Sequence, residues 1–382
     1  MKILHILTTV DPKSGGPIES VRQSGIEMVS RGHQVEVVCF DAPDAPFLSA
    51  FPLPTHALGP ARHTFSYTPR FVPWLRKHAQ QFDAVFINGL WQYHGLGAWK
   101  VLRELKVPYY VFPHGMLDPW FKRTYPLKHL KKWLYWAGAE YRVLRDARAV
   151  LFTAEEERRL ARESFWLYRA NERVVSFGTS APPTDETGLR EAFLQAYPEL
   201  QDKRIILFLG RIHTKKGCDL LINAFAKVAG VDANAHVVVA GPDSSGWMAA
   251  LKQLADELKV GSRITWPGML NGNLKWGAFY ASDAFILPSH QENFGIAVAE
   301  ALGCGLPVLI TDKVNIWREV HNDGAGLVGS DTIAGTEQML RIWLDLDPSS
   351  REKIRRQAAE TFRKRFAVQA MVNDLVAVLQ EG

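Results

Sequence analysis

The chain has 382 residues, 47% of them apolar and 22% charged, which is enough for two α/β-sized domains and too apolar for wholesale disorder. Forty-five Lys and Arg against forty Asp and Glu leave a net charge of +5, mildly basic and with no recognisable nucleic-acid-binding module. Cys39, Cys218 and Cys304 lie far apart and share no ligand spacing with histidines, so zinc and disulfide frameworks are disfavoured and a reducing compartment is expected.

No uninterrupted apolar run reaches the roughly 18 residues of a membrane-crossing helix. Residues 1–10 read as a buried first strand rather than a signal peptide: His5 interrupts the apolar run, Asp11-Pro12 breaks it, and no small-x-small site follows. A cytoplasmic location is expected.

The first half alternates short β-rich runs with helical patterns. Strands are predicted at 2–7, 34–40, 84–88, 109–112, 149–153 and 174–176, as apolar runs without clean alternation, the mark of strands covered on both faces. Between the first two, Ile18, Val21, Gly25, Met28 and Val29 recur at helical spacing, and Gly32 stops the helix. This is a βαβ unit, hence a parallel sheet with right-handed crossovers.

Residues 178–188, with Pro182-Pro183 and no periodicity, read as a linker. The rhythm restarts with strands predicted at 204–210, 235–241, 263–266, 284–287 and 307–311, and helices at 220–228 and 248–258. After residue 350 the chain reads as helical, with Val368, Met371, Val372, Leu375 and Leu379 in one stripe. The expected organisation is α/β, with two doubly wound Rossmann-like domains at 1–180 and 181–365. The terminal helix, about 366–382, packs back on the first. Ligands of such sheets bind outside the carboxyl ends of the strands, so a cleft between the domains is the expected site.

The densest constellation is Ser289-His-Gln-Glu292-Asn293-Phe294-Gly295-Ile-Ala-Val-Ala-Glu300. Helix formers follow from Phe294, which places Glu292 just before a helix and Glu300 inside it. Eight residues of helix correspond to about 12 Å, roughly the reach across a nucleotide diphosphate. The amides of Asn293, Phe294 and Gly295 are expected to crown the helix N-terminus, where anions are stabilised. A glutamate at such a place can also be a mere cap, and Glu300 a solvated helix residue. The second motif, Gly210-Arg211-Ile-His-Thr-Lys215-Lys216-Gly217, ends a strand and leads into a helix. Its cations suit a diphosphate leaving group, Arg211 as a planar fork and Lys216 as a point charge.

Gly210-Arg211 with Lys216-Gly217, paired with Glu292-x7-Glu300, resembles glycosyltransferase family 4. Gly15-Gly16 resembles its glycine loop, and Pro113-His114-Gly115 its His-Gly turn. The resemblance implies a GT-B fold, a nucleotide-sugar donor and retention of anomeric configuration. It further implies that Arg211 and Lys216 hold the diphosphate, with the amides of Gly15-Gly16 and of Asn293, Phe294 and Gly295. Glu300 would accept from the ribose hydroxyls, Glu292 would bind the transferred sugar, and His114 would lie near the anomeric centre. Trp266, within Thr265-Trp266-Pro267-Gly268, stands where the family's backbone grips the base. Asn88-Gly89-Leu90-Trp91 departs from the pattern, since many relatives carry a histidine before that glycine.

Asp345-Leu-Asp347 mimics a metal-binding Asp-x-Asp but precedes Pro348-Ser-Ser and reads as a loop. No metal or other cofactor is expected, and cations take over the electrostatic task at the departing phosphate. Residues 122–136 mix Lys122, Arg123, Lys128, Lys131 and Lys132 with Tyr125, Trp133, Tyr135 and Trp136. Such a segment suits an anionic membrane surface with its aromatics at headgroup level, or else a basic helix whose aromatics face the core.

The expected activity is transfer of a hexosyl group from a nucleotide diphosphate sugar, uridine favoured over guanosine. The acceptor is a saccharide or lipid-linked saccharide of polysaccharide biosynthesis, met in the cytoplasm or at the inner membrane face. A non-catalytic nucleotide-sugar sensor with the same two lobes is the alternative. A dinucleotide oxidoreductase is disfavoured, because no Gly-x-Gly-x-x-Gly follows the first strand.

Overall fold

A computed structural model describes residues 1–124 and 126–381; the side chains of Phe121, Arg123, Pro126 and Lys128 fall outside that description, as does Tyr125 of the basic-aromatic segment. The chain divides into two compact units, one formed by Met1–Gly178 with Val368–Gly382, the other by Thr179–Ala367.

The first unit runs β1 (Lys2–Ile6), α1 (Gly16–Ser30), β2 (Gln34–Cys39), β3 (Thr55–Ala57), α2 (Phe71–His78), β4 (Ala84–Asn88) and α3 (Tyr93–Leu105). It continues with β5 (Tyr109–Phe112), α4 (Trp120–Thr124), α5 (Pro126–Tyr135), a π turn at Trp136–Glu140, α6 (Tyr141–Arg145), β6 (Ala149–Phe152), α7 (Glu155–Ala161) and β7 (Glu172–Val174). Its seven strands are ordered β3-β2-β1-β4-β5-β6-β7, all parallel. Every residue of β4, β5 and β6 is buried, which explains their unbroken apolar runs.

The second unit holds α8 (Glu186–Ala196), β8 (Arg204–Leu209), α9 (Cys218–Val228), β9 (Ala235–Ala240), α10 (Met248–Glu257), β10 (Ile264–Gly268) and α11 (Gly272–Ala281). Next come β11 (Ala284–Leu287), α12 (Ile296–Gly303), β12 (Val308–Thr311), α13 (Trp317–Asn322), β13 (Gly326–Gly329), α14 (Ile333–Asp345) and α15 (Pro348–Thr361). Its parallel sheet is ordered β10-β9-β8-β11-β12-β13. The last helix, α16 (Val368–Gln380), returns to the first unit and lies against α1, burying Val368, Met371, Val372 and Leu375.

The strand order reverses between β1 and β4 in one sheet and between β8 and β11 in the other. Those are the switch points at which open α/β sheets leave a crevice.

Two expectations are corrected. The strand predicted at 174–176 is Glu172–Val174, and β3 and β13 were not anticipated: one is only three residues long, the other is Gly-Leu-Val-Gly. The helix carrying Glu300 starts at Ile296, because Gly295 adopts φ 80° and interrupts the backbone before it. The rise of about 12 Å between Glu292 and Glu300 therefore does not apply as an axial distance. Of the two readings of the basic-aromatic segment, Trp136 follows the one that faces the core, while Trp133 and Tyr135 are partly buried. Trp136 is fully buried with its ring 4.4 Å from Phe165, and Trp133 stacks 5.9 Å from Trp166.

Candidate functional site

In the second unit the loops after β8 and β11 are stitched together at the switch point. Gly217 takes φ 66°, and a Cβ there would sit 2.0 Å from the carbonyl oxygen of Pro288, so only glycine lets the loops close. The N–H of His290 donates to the carbonyl of Lys215 at 2.8 Å, fixing the register of the two loops. This brings Lys216 and Glu292 into a direct ion pair, both side chains about four-fifths buried. The carboxylate also accepts from the N–H of Asn293 at 3.1 Å. Its loop is held by its own N–H on Lys313 at 2.9 Å and its carbonyl on the N–H of Asn315 at 3.1 Å.

The expected crown of amides is thus redrawn. Asn293 spends its N–H on Glu292, and the Phe294 side chain is buried edge-on against Phe366 at 5.6 Å. Gly295 is the N-cap, and α12 begins after it. One turn along α12, Glu300 is buried and its Oε1 accepts from Lys275 Nζ at 2.6 Å. Lys275 also lies 4.7 Å from the ring centre of Trp276. Arg211 is exposed just past β8, and Trp266 is half-buried on β10 with Lys252 Nζ 5.9 Å from its ring. Two cation–carboxylate pairs therefore flank the start of α12, one on each acidic residue of the motif.

The first unit presents its own constellation at the β1/β4 switch point. Gly15 holds φ 95° before α1, and a Cβ there would meet nothing within 4 Å, so the backbone lies open to a ligand. His114 follows β5 in the left-handed region, φ 49°, as does Trp91 after β4, φ 72°. Two non-glycine residues in that region, at adjacent strand ends, are strain that the surroundings must hold. For His114 the holding is visible. Phe112 stacks on its ring at 5.4 Å, and Asn88 Oδ1 lies 3.2 Å from its Nε2. Buried Glu157 accepts from the N–H of Gly115 at 2.6 Å and from the N–H and hydroxyl of Thr153 at 2.7 Å. Desolvation lowers the His114 pKa to about 4, so the imidazole is neutral at physiological pH. Trp91 is held by its N–H on Glu140 Oε1 at 2.6 Å. Burial raises the Glu140 carboxyl to about 8 against the opposing pull of that N–H and of Lys132.

Asn88, Lys275, Glu157 and Glu140 were not named as site residues from the sequence. Only Asn88 had a signal, as a departure from the family pattern. The Asp345-Leu-Asp347 motif is accounted for locally: Asp347 caps α15 by accepting from the N–H groups of Ser349 and Ser350. Among the described residues no three His, Cys, Asp or Glu gather as metal ligands.

Comparisons with known proteins bear on the family and the fold. The profile described as glycosyl transferases group 1 matches residues 190–361, and that of a glycosyl transferase 4-like domain matches 15–178. A D-inositol 3-phosphate glycosyltransferase of Mycolicibacterium smegmatis is 29% identical over 189 residues, 48% of this chain and 43% of that protein. The chain thus matches less than half the length of this curated relative. Sucrose-phosphate synthase from Thermosynechococcus elongatus superposes with a TM-score of 0.77 at 19% identity, covering 100% of this chain and 98% of the other. Anabaena HepE in complex with UDP and glucose gives 0.77 at 16% identity, covering 100% of both. At such identities the likeness is one of fold.

Proposed function

The chain belongs to the family 4-type glycosyltransferases of GT-B fold, and on that premise we propose that it transfers a hexosyl group, with retention, from a uridine diphosphate sugar to a saccharide or lipid-linked saccharide. A guanosine diphosphate sugar is the second choice of donor. The observation that carries this reading is the pair of ion pairs around α12. Lys216 with Glu292 and Lys275 with Glu300 put a cation and a hydrogen-bond acceptor at each of two points, one before α12 and one within it. That is the demand of a ligand with hydroxyls at both ends and two phosphates between them. The Anabaena HepE structures in complex with UDP-glucose and with UDP and glucose support the donor class by analogy.

In this reading Lys216 and Arg211 bind the diphosphate, with the amides of Gly15-Gly16, where the backbone at Gly15 is open, and of Gly295. Glu300 takes the ribose hydroxyls and Trp266 borders the base. Glu292 and neutral His114 face the transferred sugar. As the bond from the anomeric carbon to the phosphate oxygen breaks, the acceptor oxygen bonds to the same face, and its proton passes to the departing phosphate. The protein supplies orientation and electrostatic stabilisation, and its cations serve where other transferases use a divalent metal. The same reading assigns the chain to polysaccharide biosynthesis in the cytoplasm or at the inner face of the membrane, where the basic α5 region would meet anionic lipid. The test is a thermal-shift panel of UDP, GDP, ADP and their sugars, because the true ligand raises the melting temperature by mass action. A melting temperature unmoved by any of them would reject the reading.

A further inference from the structure

Helix α5 is built inside out. Its inward face carries the polar and aromatic groups: His129 stacks on Phe165 at 4.5 Å, Lys132 Nζ sits 4.5 Å from the ring centre of Trp91, and Trp133 lies parallel to Trp166 at 5.9 Å. Its outward face carries leucines. Leu127, Leu130 and Leu134 recur at i, i+3 and i+7, one side of a helix, and are 83%, 65% and 78% exposed. Exposed Ala137 and Gly138 prolong the stripe into the π turn, and Trp166, stacked on Trp133 of the same helix, is 77% exposed. A soluble helix ordinarily turns such a stripe to the core. Here the stacked aromatics hold it outward.

We propose that this leucine face, together with exposed Trp166 stacked on Trp133, inserts between the headgroups and upper acyl chains of an anionic membrane. The charge pattern selects that occupant. From residue 119 to 139 the sequence has five Lys or Arg and no Asp or Glu. A second copy of the chain docking by twofold symmetry would bring two such cationic sets together, whereas an anionic lipid surface neutralises them. No helix among the described residues is long and apolar enough to cross a membrane, so the contact is a shallow one. The inference rests on the membrane location proposed above and changes its chemistry: the leucines supply the anchorage, and the lysines steer.

The experiment is co-sedimentation of the full chain with vesicles of phosphatidylglycerol mixed with phosphatidylcholine, and of phosphatidylcholine alone. The variants are L127Q/L130Q/L134Q and W166F, each first checked for an unchanged melting temperature and circular dichroism. Wild type is expected to bind the anionic vesicles, and the triple variant at least about a hundredfold less, the loss from removing three apolar contacts. Tryptophan fluorescence of the bound wild type should be quenched by lipids brominated along the acyl chain, and that quenching should shrink in W166F. If wild type sediments and the triple variant follows it equally, this inference falls while the membrane location stands. If wild type stays in the supernatant at low salt, both fall. A lipid-free dimer, seen in sedimentation velocity and abolished by the triple variant, would make the face a self-interface and overturn the proposal.

Discussion

Asn88 Oδ1 lies 3.2 Å from His114 Nε2, and this one contact decides which nitrogen of the histidine carries the proton. The amide is oriented by its other end: Nδ2 is 3.4 Å from the carbonyl oxygens of Ile6 and Phe86, and 3.4 Å from His5 Nδ1. Only the amide nitrogen suits those carbonyls, so the oxygen must face His114 and accept from it. Nε2 therefore bears the hydrogen of the neutral ring, and Nδ1 is left with a lone pair. A sugar hydroxyl can donate to it. A histidine at position 88 would offer no such fixed acceptor.

Replacing Asn88 by Asp puts a carboxylate against Nε2 and favours the imidazolium. The His114 pKa, about 4 in the native chain, should then rise. Activity that requires the neutral ring should lose its acid side at a higher pH than in wild type. The pH–rate profile of Asn88→Asp, with the imidazole nitrogens followed by NMR, checks this. An acid limb that does not move removes the assigned role of Asn88.

Glu140 gives a stability prediction whose sign is fixed. Its folded pKa, about 8, lies above the ordinary carboxyl value, so between about pH 4.5 and 8 the folded chain holds a proton that the unfolded chain has released. This group's contribution must therefore weaken as pH rises through that window. Glu140→Gln keeps an oxygen for the Trp91 N–H but no longer titrates. The melting temperature of the variant relative to wild type should climb from pH 5 to pH 8. A constant difference would show that the carboxyl does not titrate there.

The parallel strands and the motif carbons of the site were readable from sequence because burial on both faces leaves apolar runs, and because glycines mark the loops. What was not readable is contact at long range. Lys275 meets Glu300 from 25 residues away, and His114 meets Asn88 across 26, with no spacing rule joining them. The helix start was misplaced for a local reason: Phe294 is a good helix residue, but Gly295 in the left-handed region breaks the backbone after it. The outward leucines of α5 were hidden because its aromatics are equally apolar, and only packing decides which set is covered.

Catalysis should not depend on a divalent ion, since Lys216 and Arg211 supply positive charge at the proposed diphosphate site. Transfer measured in excess chelator should match that without it. Activity abolished by the chelator and restored by magnesium or manganese would contradict the assignment.

Lys275 should matter through Glu300 alone. Lys275→Met removes the partner at 2.6 Å, leaving a buried carboxylate less well oriented for the proposed ribose contact. The donor KM should rise several-fold with kcat little changed, and Lys275→Arg should restore most of it. A fall in kcat with KM untouched would place Lys275 elsewhere in the mechanism.

The central claim is that the two glutamates hold opposite ends of one nucleotide sugar, and calorimetric titration of free uridine diphosphate tests it most directly. Glu300→Ala deletes a charge-assisted hydrogen bond of about 1.5–3 kcal/mol, so affinity should fall by at least about tenfold. Glu292→Gln has the opposite expectation. It releases Lys216 from its ion pair and removes a negative charge beside the phosphates, so the free diphosphate should bind as tightly as in wild type or more tightly. If Glu292→Gln weakens uridine diphosphate as much as Glu300→Ala does, the division of roles is wrong.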